Sequence, residues 1–409
     1  MFNSSHSIRL ILASTLTAVL MAACGGGGDP APPPAAGLQL DPGDGRVTIS
    51  WVAAPGVEYW LGYQAAATVS LAPGTPHTWV INVTSPYVLP GLTNGTTYAF
   101  SMNGRTDGGP GGAATPSVAT VPRPGGESWT IGSTLGTSAI RSVAYGTASD
   151  STVDYVAVGD AGAIYKGTDG INWSAVSTGP KVDFRAATYA LSKFIAAGAG
   201  GQIYYSTDIA TWTAGVSGTS NNLNALASNG TLVVAVGDNG TIRYSSDGAT
   251  WTAAASVPSS SHLNGITYAA SGLWLAVGAN GTVLTSSDGM TWTAQISGTS
   301  QALTGVATQF TSVYTYVAVG AAGTVLRSND GITWSIAALS PAVNLTGIVV
   351  PSTNSQFLAI GEAGAVRTSP DGITWTARST TTTANLWGLI TAQVQYVAVG
   401  DAGITISSH

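Results

Sequence analysis

Residues 263–292, LNGITYAASGLWLAVGANGTVLTSSDGMTW, contain the pattern that decides the fold of this chain. Three short strand-like segments, at 263–269, 273–278 and 282–287, are separated by turn-forming residues, and a fourth begins at Trp292. The second segment, LWLAVG, is apolar at every position rather than at alternate positions. Strands that are buried on both faces have this composition, whereas strands with one solvent-exposed face alternate. The stretch therefore predicts four strands of a sheet that is covered on both sides.

The same unit recurs through the C-terminal part of the chain. Its tryptophan returns at intervals of 39 to 44 residues, at Trp129, Trp173, Trp212, Trp251, Trp292, Trp334 and Trp375. The second-strand pattern occurs seven times, from YVAVG at 155–159 to YVAVG at 396–400. A four-stranded unit that repeats about every 40 residues is typical of one blade of a β-propeller. We therefore predict an all-β fold in which residues 128–409 form a seven-bladed β-propeller.

The two ends of the repeat region predict how the ring closes. The last third strand, ITISS at 404–408, has no fourth strand after it, while the strand at Trp129 has no blade of its own. We expect these N- and C-terminal strands to pair, because pairing removes the exposed edges of an open array. The glycines after each second strand, such as Gly278 and Gly281, are expected to supply the positive φ of a two-residue turn.

Residues 1–24 have the pattern of an export signal, with an apolar stretch at 10–21 that is shorter than a typical membrane span. Residues 20–24, LMAAC, resemble the lipobox of bacterial lipoproteins. The resemblance implies a lipid on Cys24 that anchors the exported protein in the cell envelope, and the glycine after the cysteine favours the outer membrane. An ordinary signal peptide that contains a cysteine is the alternative. Residues 25–36, rich in glycine and proline, are predicted to form a tether.

Residues 37–122 consist of short strand-like segments separated by proline and glycine, as in a β-sandwich. The segment resembles a fibronectin type III domain. Trp51 stands in the position of the core tryptophan, and LTNGTTY at 92–98 matches the motif around the tyrosine corner. The resemblance implies a spacer or an adhesive module rather than a defined activity. Residues 123–127, rich in proline and glycine, are predicted to be the linker to the propeller.

Three aromatic residues of the sandwich segment have two interpretations. Trp60, Trp79 and Tyr87 allow a surface on which sugar rings stack. Core packing or cross-strand packing is the simpler interpretation of the same residues.

A short turn precedes six of the repeated tryptophans, and SSDGMTW at 286–292 is a regular example. It resembles the Asp-box, or BNR repeat, in which the carboxylate accepts backbone N–H groups, the glycine adopts positive φ and the tryptophan packs between blades. The aspartates are Asp169, Asp208, Asp247, Asp288, Asp330 and Asp371, and the tryptophans are Trp173, Trp212, Trp251, Trp292, Trp334 and Trp375. Because Ile209 replaces the glycine of one turn and Gly167 the serine of another, we expect both turns to be looser. Calcium binding is the alternative role, although one carboxylate per turn offers too few ligands.

Charge and composition exclude several classes of function. The net charge is −6 and no run of basic residues occurs, so a nucleic acid would find no electrostatic footprint. Cys24 is the only cysteine, which excludes an intrachain disulfide and a thiolate metal site. The predicted propeller has only His262 and His409 as histidines, so we predict no metal site and no cofactor.

The Asp-box also occurs in sialidases, so a carbohydrate-active glycoside hydrolase is an alternative function. Those enzymes have six blades and use a tyrosine nucleophile assisted by a glutamate, an acid/base aspartate and three arginines. Here the propeller has only Glu127 and Glu362 as glutamates and lacks the arginine motif. We therefore assign no catalytic residue.

The repeats VAVG and SxDGxTW are also similar to those of the BNR-like propellers related to photosystem II assembly factors, over nearly all of 128–409. The resemblance implies a propeller that binds other proteins, and an assembly factor for an envelope complex is a further alternative. The arginine-rich patch of that family is poorly matched, because Arg327 is out of phase with Arg243 and Arg367.

A candidate binding surface is predicted on the propeller face opposite the Asp-boxes. There, the second position of each first strand holds Arg141, Arg185, Asn224, Asn264, Thr304, Thr346 or Trp387. Turns of the same face carry the acidic residues Asp160, Glu362 and Asp401. Aromatic and arginine side chains together are typical anchors of a binding surface, and solvated residues beside a channel are the other interpretation. We predict a monomeric, non-enzymatic envelope lipoprotein whose propeller binds a protein or a glycan at this face.

Overall fold

The computed structural model describes residues 30–351, 356–392 and 395–408. The predicted export signal with Cys24, residues 25–29 of the tether, and His409 lie outside these ranges. The chain forms two compact units. The first unit contains residues 30–39, 49–87 and 99–119, and the second contains residues 40–48, 88–98 and everything from 120 onward. Within the described ranges, no helix is long and apolar enough to cross a membrane.

Eight short strands precede residue 121. They are β1 (Pro30–Ala31), β2 (Gln39–Gly43), β3 (Arg46–Ser50), β4 (Glu58–Gln64), β5 (Thr78–Val83), β6 (Tyr87–Pro90), β7 (Tyr98–Arg105) and β8 (Val118–Thr120). One sheet has the order β1–β7–β4–β5, with β8 also paired to β7, and another has the order β2–β3–β6. Along β4, Tyr59 and Leu61 are buried while Trp60 between them is half-buried. This alternation gives the five-stranded sheet one apolar face.

Seven four-stranded antiparallel sheets follow, which we number 1 to 7 in chain order. The strand β9 (Thr130–Ile131) comes first in the chain. Sheet 1 contains β10 (Ile140–Thr147), β11 (Val153–Gly159), β12 (Ile164–Gly167) and β13 (Ser174–Ala175); sheet 2 contains β14 (Phe184–Ala190), β15 (Lys193–Gly198), β16 (Ile203–Ser206) and β17 (Thr213–Ala214); sheet 3 contains β18 (Leu223–Ser228), β19 (Val233–Gly237), β20 (Ile242–Ser245) and β21 (Thr252–Ala253). Sheet 4 contains β22 (Leu263–Tyr268), β23 (Trp274–Gly278), β24 (Val283–Ser286) and β25 (Thr293–Gln295); sheet 5 contains β26 (Leu303–Phe310), β27 (Tyr314–Gly320), β28 (Thr324–Ser328) and β29 (Ser335–Ala338). Sheet 6 contains β30 (Leu345–Val349), β31 (Phe357–Gly361), β32 (Val366–Ser369) and β33 (Thr376–Arg378); sheet 7 contains β34 (Leu386–Ala392), β35 (Gln395–Gly400), β36 (Thr405–Ser408) and β9.

The second strand of each sheet is the most deeply buried. Every residue of β23, for example, is buried, as the continuous apolar pattern predicts for a strand that is covered on both faces. Clusters of buried apolar side chains lie between neighbouring sheets. One cluster joins Val397 and Val399 of sheet 7 to Val143 and Tyr155 of sheet 1, so the first and last sheets are also neighbours.

A 3₁₀ turn joins the second strand of each sheet to the third. The turns are Asp160–Gly162, Ala199–Gly201, Asp238–Gly240, Ala279–Gly281, Ala321–Gly323, Glu362–Gly364 and Asp401–Gly403. The prediction of positive φ is wrong for the glycine before each turn: Gly278, for example, has a φ of −167°. A Cβ atom on Gly278 would lie 2.1 Å from the carbonyl oxygen of His262, so close backbone approach is what requires glycine there. Positive φ occurs two and three residues after Gly278, at Asn280 (56°) and Gly281 (66°).

Six turns between third and fourth strands are built around a carboxylate, and we call them the aspartate turns. In the turn of sheet 5, the Asp330 Oδ1 atom accepts the backbone N–H groups of Ile332 at 2.8 Å and Thr333 at 2.7 Å. The hydroxyl of Ser328 donates to the same oxygen at 2.8 Å. The indole N–H of Trp334 donates to the carbonyl of Gly331 at 3.1 Å, a bond that fixes the ring over its own turn.

Both irregular aspartate turns keep backbone N–H bonds to the carboxylate, but in the turn without serine the buried indole N–H of Trp173 has no partner. Ile209 adopts a φ of 65°, which strains a β-branched residue, while the Asp208 carboxylate still accepts the N–H of Thr211 at 2.7 Å. In the turn that lacks serine, the side chain of Asn172 instead donates to Asp169 Oδ2 at 2.8 Å.

Sheet 7 combines strands from the two ends of the repeat region. Its third strand, β36, pairs with β9 through Ile406 opposite Ile131 and Ser407 opposite Thr130. The neighbouring Trp129 is 7% exposed and packs in a cluster that also contains Leu358 and Tyr396. The pairing expected from the sequence is therefore present.

The aspartate turns should make the protein sensitive to acid. Hydrogen bonds from the backbone N–H groups of Thr333 and Ile332 lower the pKa of Asp330 from 3.8 to about 2. Because the folded-state pKa is below the unfolded value, this stabilisation is fully present above about pH 4 and is lost as the pH falls through about 2. We expect Asp330→Ala to lower the free energy of unfolding at pH 7 by about 1 kcal/mol, as for the loss of an exposed capping carboxylate. Urea unfolding at pH 7 and pH 3 measures both the loss of stability in acid and the effect of Asp330→Ala. The control is Asn329→Ala, a change at the exposed neighbouring residue.

The closing strand can be tested through its tryptophan. We expect Trp129→Ala to destabilise the second unit by about 3–5 kcal/mol, the usual loss when a buried aromatic side chain is truncated. Trp387→Ala, which removes a half-buried ring, is the comparison and should lower the thermal midpoint much less. Equal shifts for the two variants in a thermal unfolding experiment would contradict the role of β9 in sheet 7.

Candidate functional site

A β-bulge places one side chain of each first strand at the end of the sheet that carries the 3₁₀ turns. In sheet 4, Leu263 lies opposite Gly278 and Gly265 opposite Val277, so Asn264 is the extra residue. The same register shift occurs in all seven first strands, and its extra residues are Arg141, Arg185, Asn224, Asn264, Thr304, Thr346 and Trp387. Because a bulge changes the direction of a side chain, these seven form a defined set, which we call the bulge residues.

Four bulge residues connect their sheet to the next one. Asn224 and Asn264 donate from Nδ2 to the carbonyl oxygens of Leu263 and Leu303, at 3.0 and 2.9 Å. Thr304 and Thr346 do the same from their hydroxyls, to Leu345 at 2.7 Å and to Leu386 at 2.5 Å. Each acceptor is the residue just before the bulge of the following sheet. These four side chains therefore have a structural role that the sequence analysis did not predict.

The other three bulge residues, on sheets 7, 1 and 2, are directed to different partners. The Arg141 guanidinium binds both carboxylate oxygens of Asp160, at 3.0 and 2.7 Å. Its central carbon also lies 5.0 Å from the centre of the Trp387 ring, within range of a cation–π contact. Arg185 donates to the Oδ1 atom of Asn224 at 2.8 Å. The hydrogen bonds that Arg141 donates to Asp160 raise the pKa of Arg141 above its already high ordinary value.

Two cavities that share five bulge residues open at this end of the sheets. Arg141, Arg185, Asn224, Asn264 and Trp387 line both a cavity of about 300 Å³ and one of about 580 Å³. The larger cavity is also lined by Asp160, Asp183 and Thr346. The structure thus brings together six of the eight candidate binding residues, namely these five bulge residues and Asp160.

The remaining two candidates, Glu362 and Asp401, do not line either cavity. Glu362 accepts a hydrogen bond from the Asn344 amide at 2.9 Å. Asp401 accepts the indole N–H of Trp387 at 2.6 Å and the Asn385 amide at 2.9 Å, and so it positions the Trp387 ring.

Asp183 is a cavity residue that the sequence analysis missed. Its carboxylate accepts the backbone N–H of Ala161 at 2.8 Å, and so it caps the 3₁₀ turn of the preceding sheet. Asn222, Asn344 and Asn385 occupy the equivalent position and cap the turns at Gly200, Ala322 and Ala363. An alignment of the residue before each first strand would have shown Asp or Asn at this position in four of the seven units.

Asp238 forms a second polar cluster at the same end of the sheets. It accepts hydrogen bonds from the amides of Asn222 and Asn224, at 2.7 and 2.9 Å, and lies 3.1 Å from the His262 Nδ1 atom. Burial opposes ionisation of this carboxyl, but the two amides and His262 lower its pKa overall. The cluster keeps Asp238 charged beside the bulge residues of sheets 3 and 4.

The arginines on third strands do not form a shared patch with the cavity residues. Arg243, Arg327 and Arg367 each donate to a backbone carbonyl, those of Gly218, Asp371 and Val366 respectively. In the described ranges, no group of three His, Cys, Asp or Glu side chains is arranged to hold a metal ion.

Comparison with known proteins shows that this chain is similar in fold to several solved structures. No protein-family model and no curated protein matches the chain. A structure of YCF48 bound to D1 peptide superposes with a TM-score of 0.56 at 17% identity, covering 68% of this chain and 94% of that one. The WD40 β-propeller domain of Doa1 gives a TM-score of 0.55 at 12% identity, over 69% of this chain and 97% of the domain. Virginiamycin B lyase from Staphylococcus aureus gives 0.58 at 10% identity, over 68% of this chain and 99% of the lyase.

These similarities extend over about two thirds of the chain, which is the share that the repeat region occupies. At such identities they establish the fold and no activity. The predicted all-β fold is confirmed, and the four-stranded sheets of this chain form a β-propeller.

Proposed function

We propose that this protein is a non-enzymatic binding protein of the cell envelope, and that its propeller holds a segment of another protein beside Trp387, Arg141 and Arg185. One observation carries the proposal. Four bulge residues donate to a backbone carbonyl of the next sheet, whereas these three, on successive sheets, place an aromatic ring and two guanidinium groups at the same positions. Of the three, Arg185 also bonds the next sheet, through the Asn224 side chain. Tryptophan and arginine contribute most strongly to binding at protein interfaces, and here they line a cavity.

A protein ligand is supported by the chemistry of the cavity. The lining combines a ring face, cationic groups, carboxylates and amides, which together match the varied side chains and the amide groups of a polypeptide. The similar structure of YCF48 with a bound D1 peptide agrees with a propeller that binds a peptide. A scaffolding role in the assembly of an envelope complex would use the same surface.

The hydrolase alternative is less well supported by the same geometry. Glycoside hydrolysis requires a carboxylic acid that is protonated near neutral pH. The Nε and Nη2 atoms of Arg141 donate to the two carboxylate oxygens of Asp160, and Asp183 is engaged in capping a turn, so neither carboxyl group is free to act as that acid. A glycan bound at this face without hydrolysis remains an outcome of the experiment below.

A displayed random-peptide library tests the proposal on the purified full-length protein. We expect selected peptides to bind the wild type and to lose at least tenfold in affinity on Trp387→Ala and on Arg185→Ala. Each change removes a side chain that lines the cavity and takes no part in the aspartate turns. Fluorescence anisotropy with the selected peptides measures the affinity.

Lys166→Ala is the matched control, since it also removes one positive charge but from an exposed position on β12. Enrichment of no peptide, or of peptides whose affinity changes equally in Lys166→Ala and Arg185→Ala, would contradict a protein ligand at this site. A glycan array probed in parallel shows whether Trp387 is needed for a sugar instead.

We further propose that the propeller has seven blades closed by β9 and β36, and that the aspartate turns are Asp-boxes. The seven four-stranded sheets and the cluster between sheets 7 and 1 support this arrangement.

We also propose a fibronectin type III-like module at 37–122. The buried Trp51 supports it, and so does the Tyr98 hydroxyl, which accepts the backbone N–H of Thr93 at 3.2 Å as in a tyrosine corner.

The lipid anchor rests on the sequence at Cys24 and has a direct test. In a bacterial host, we expect the wild type to incorporate an alkyne-labelled fatty acid and to sediment with membranes, since a lipid chain buries apolar surface in the bilayer. Cys24→Ser should abolish the label and release the protein from the membrane pellet. A wild type that carries no label would show instead an ordinary export signal.

A further inference from the structure

The five-stranded sheet of the first unit carries a cavity of about 600 Å³. Trp79 of β5 and Asn103 and Arg105 of β7 line it, together with Leu71 and Gly111 from two loops. Leu71 packs over Gly62, where a Cβ atom would lie only 2.2 Å from its Cδ2 atom. The volume is within the range of small-ligand sites, roughly 300–1,000 Å³.

Two buried polar atoms on lining residues of this cavity have no hydrogen-bond partner. They are the Nε atom of Arg105, a donor, and the Oδ1 atom of Asn103, an acceptor. Buried polar atoms without partners are rare, because each loses its bonds to water without gaining others. Because both residues line the cavity, a ligand that accepts and donates hydrogen bonds would satisfy the two atoms once their side chains turn toward it.

Aromatic rings hold the arginine and the tryptophan in place. The Arg105 guanidinium lies over the Trp60 ring, 3.4 Å from its centre. Trp60 meets Trp79 edge to face at 6.1 Å, and Trp79 meets His77 in the same way at 4.8 Å. The indole N–H of Trp60 is bound to Asn82 at 3.2 Å, so the ring under Arg105 is itself fixed. The rings beside Arg105 are therefore in place before a ligand binds.

We propose that this cavity binds a sugar ring of a glycan. A sugar offers an apolar C–H face to Trp79 and hydroxyl groups that can accept from Arg105 and donate to Asn103. A purely apolar ligand would leave both polar atoms unpaired, and a fully deprotonated anion such as sulfate would have no proton to donate to Asn103. Of the three aromatic residues considered in the sequence, Trp79 lines the site, Trp60 supports Arg105, and Tyr87 is not among the lining residues.

A glycan array with neutral and uronic-acid-containing oligosaccharides, probed with the purified full-length protein, tests the proposal. We expect at least one glycan to bind, and the bound signal to fall at least tenfold in Trp79→Ala and Arg105→Gln. Ile81→Ala, at a position on the same strand that is 56% exposed, should bind like the wild type. Trp387→Ala should also bind normally, which separates this site from the peptide site proposed on the propeller.

Asn103→Leu distinguishes a binding role from a structural one. Replacing this half-buried amide, whose Oδ1 atom has no partner, by an apolar side chain of similar shape should leave the thermal midpoint unchanged or raise it. The same change should lower sugar binding about tenfold. The proposal is overturned if no sugar binds, if binding survives all three cavity substitutions, or if Trp387→Ala abolishes it.

Discussion

A one-residue bulge near the start of every first strand is the constraint on which the candidate site of the propeller depends. The extra residue is released from the regular alternation of the strand, and in sheets 3 to 6 its amide or hydroxyl reaches the backbone carbonyl of the next sheet. The repeat therefore creates seven equivalent positions, each suited to a short polar side chain. Where arginine or tryptophan stands instead, the larger side chain lines a cavity rather than bonding that carbonyl, although Arg185 still bonds the Asn224 side chain of the next sheet. Other bonds join the sheets there: Ser142 accepts the N–H of Ala187 at 3.0 Å, and Gln395 donates to the Tyr155 hydroxyl at 2.9 Å.

At the opposite end of each sheet, the residues that repeat most regularly are the least available for binding a ligand. The six aspartate turns are the most conspicuous feature of the sequence, but their carboxylates are occupied by backbone N–H groups of the same turn. One carboxylate oxygen of each turn is used in this way, and a single carboxylate per turn offers fewer ligands than a calcium ion requires. The repeated residues hold the turns in shape, while the chemistry available for binding belongs to residues that depart from the repeat.

The two proposed sites differ in how their polar groups are satisfied. In the propeller cavity, Arg141, Asp160 and Asp183 already have partners, so a ligand must compete with or add to existing bonds. In the cavity of the first unit, Arg105 and Asn103 each keep a buried atom without a partner, so a ligand completes the site. The first arrangement suits a large ligand with many contacts, and the second a small one with defined hydrogen bonds.

The sequence by itself determined the repeat, the four strands of each unit, the pairing of its terminal strands and the aspartate turns, because these features follow from local patterns of burial, glycine and aspartate. It also placed Arg141, Arg185 and Trp387 at equivalent positions of successive units. Only the tertiary structure decided that Asn224, Asn264 and the two threonines connect sheets, that Asp183 belongs to the cavity, and that Gly278 is needed for close approach. Each of these depends on a contact between residues in different strands or sheets, such as the Asn264 amide and the Leu303 carbonyl, 39 residues apart. A local pattern contains no information about such a distance until the sheets are packed.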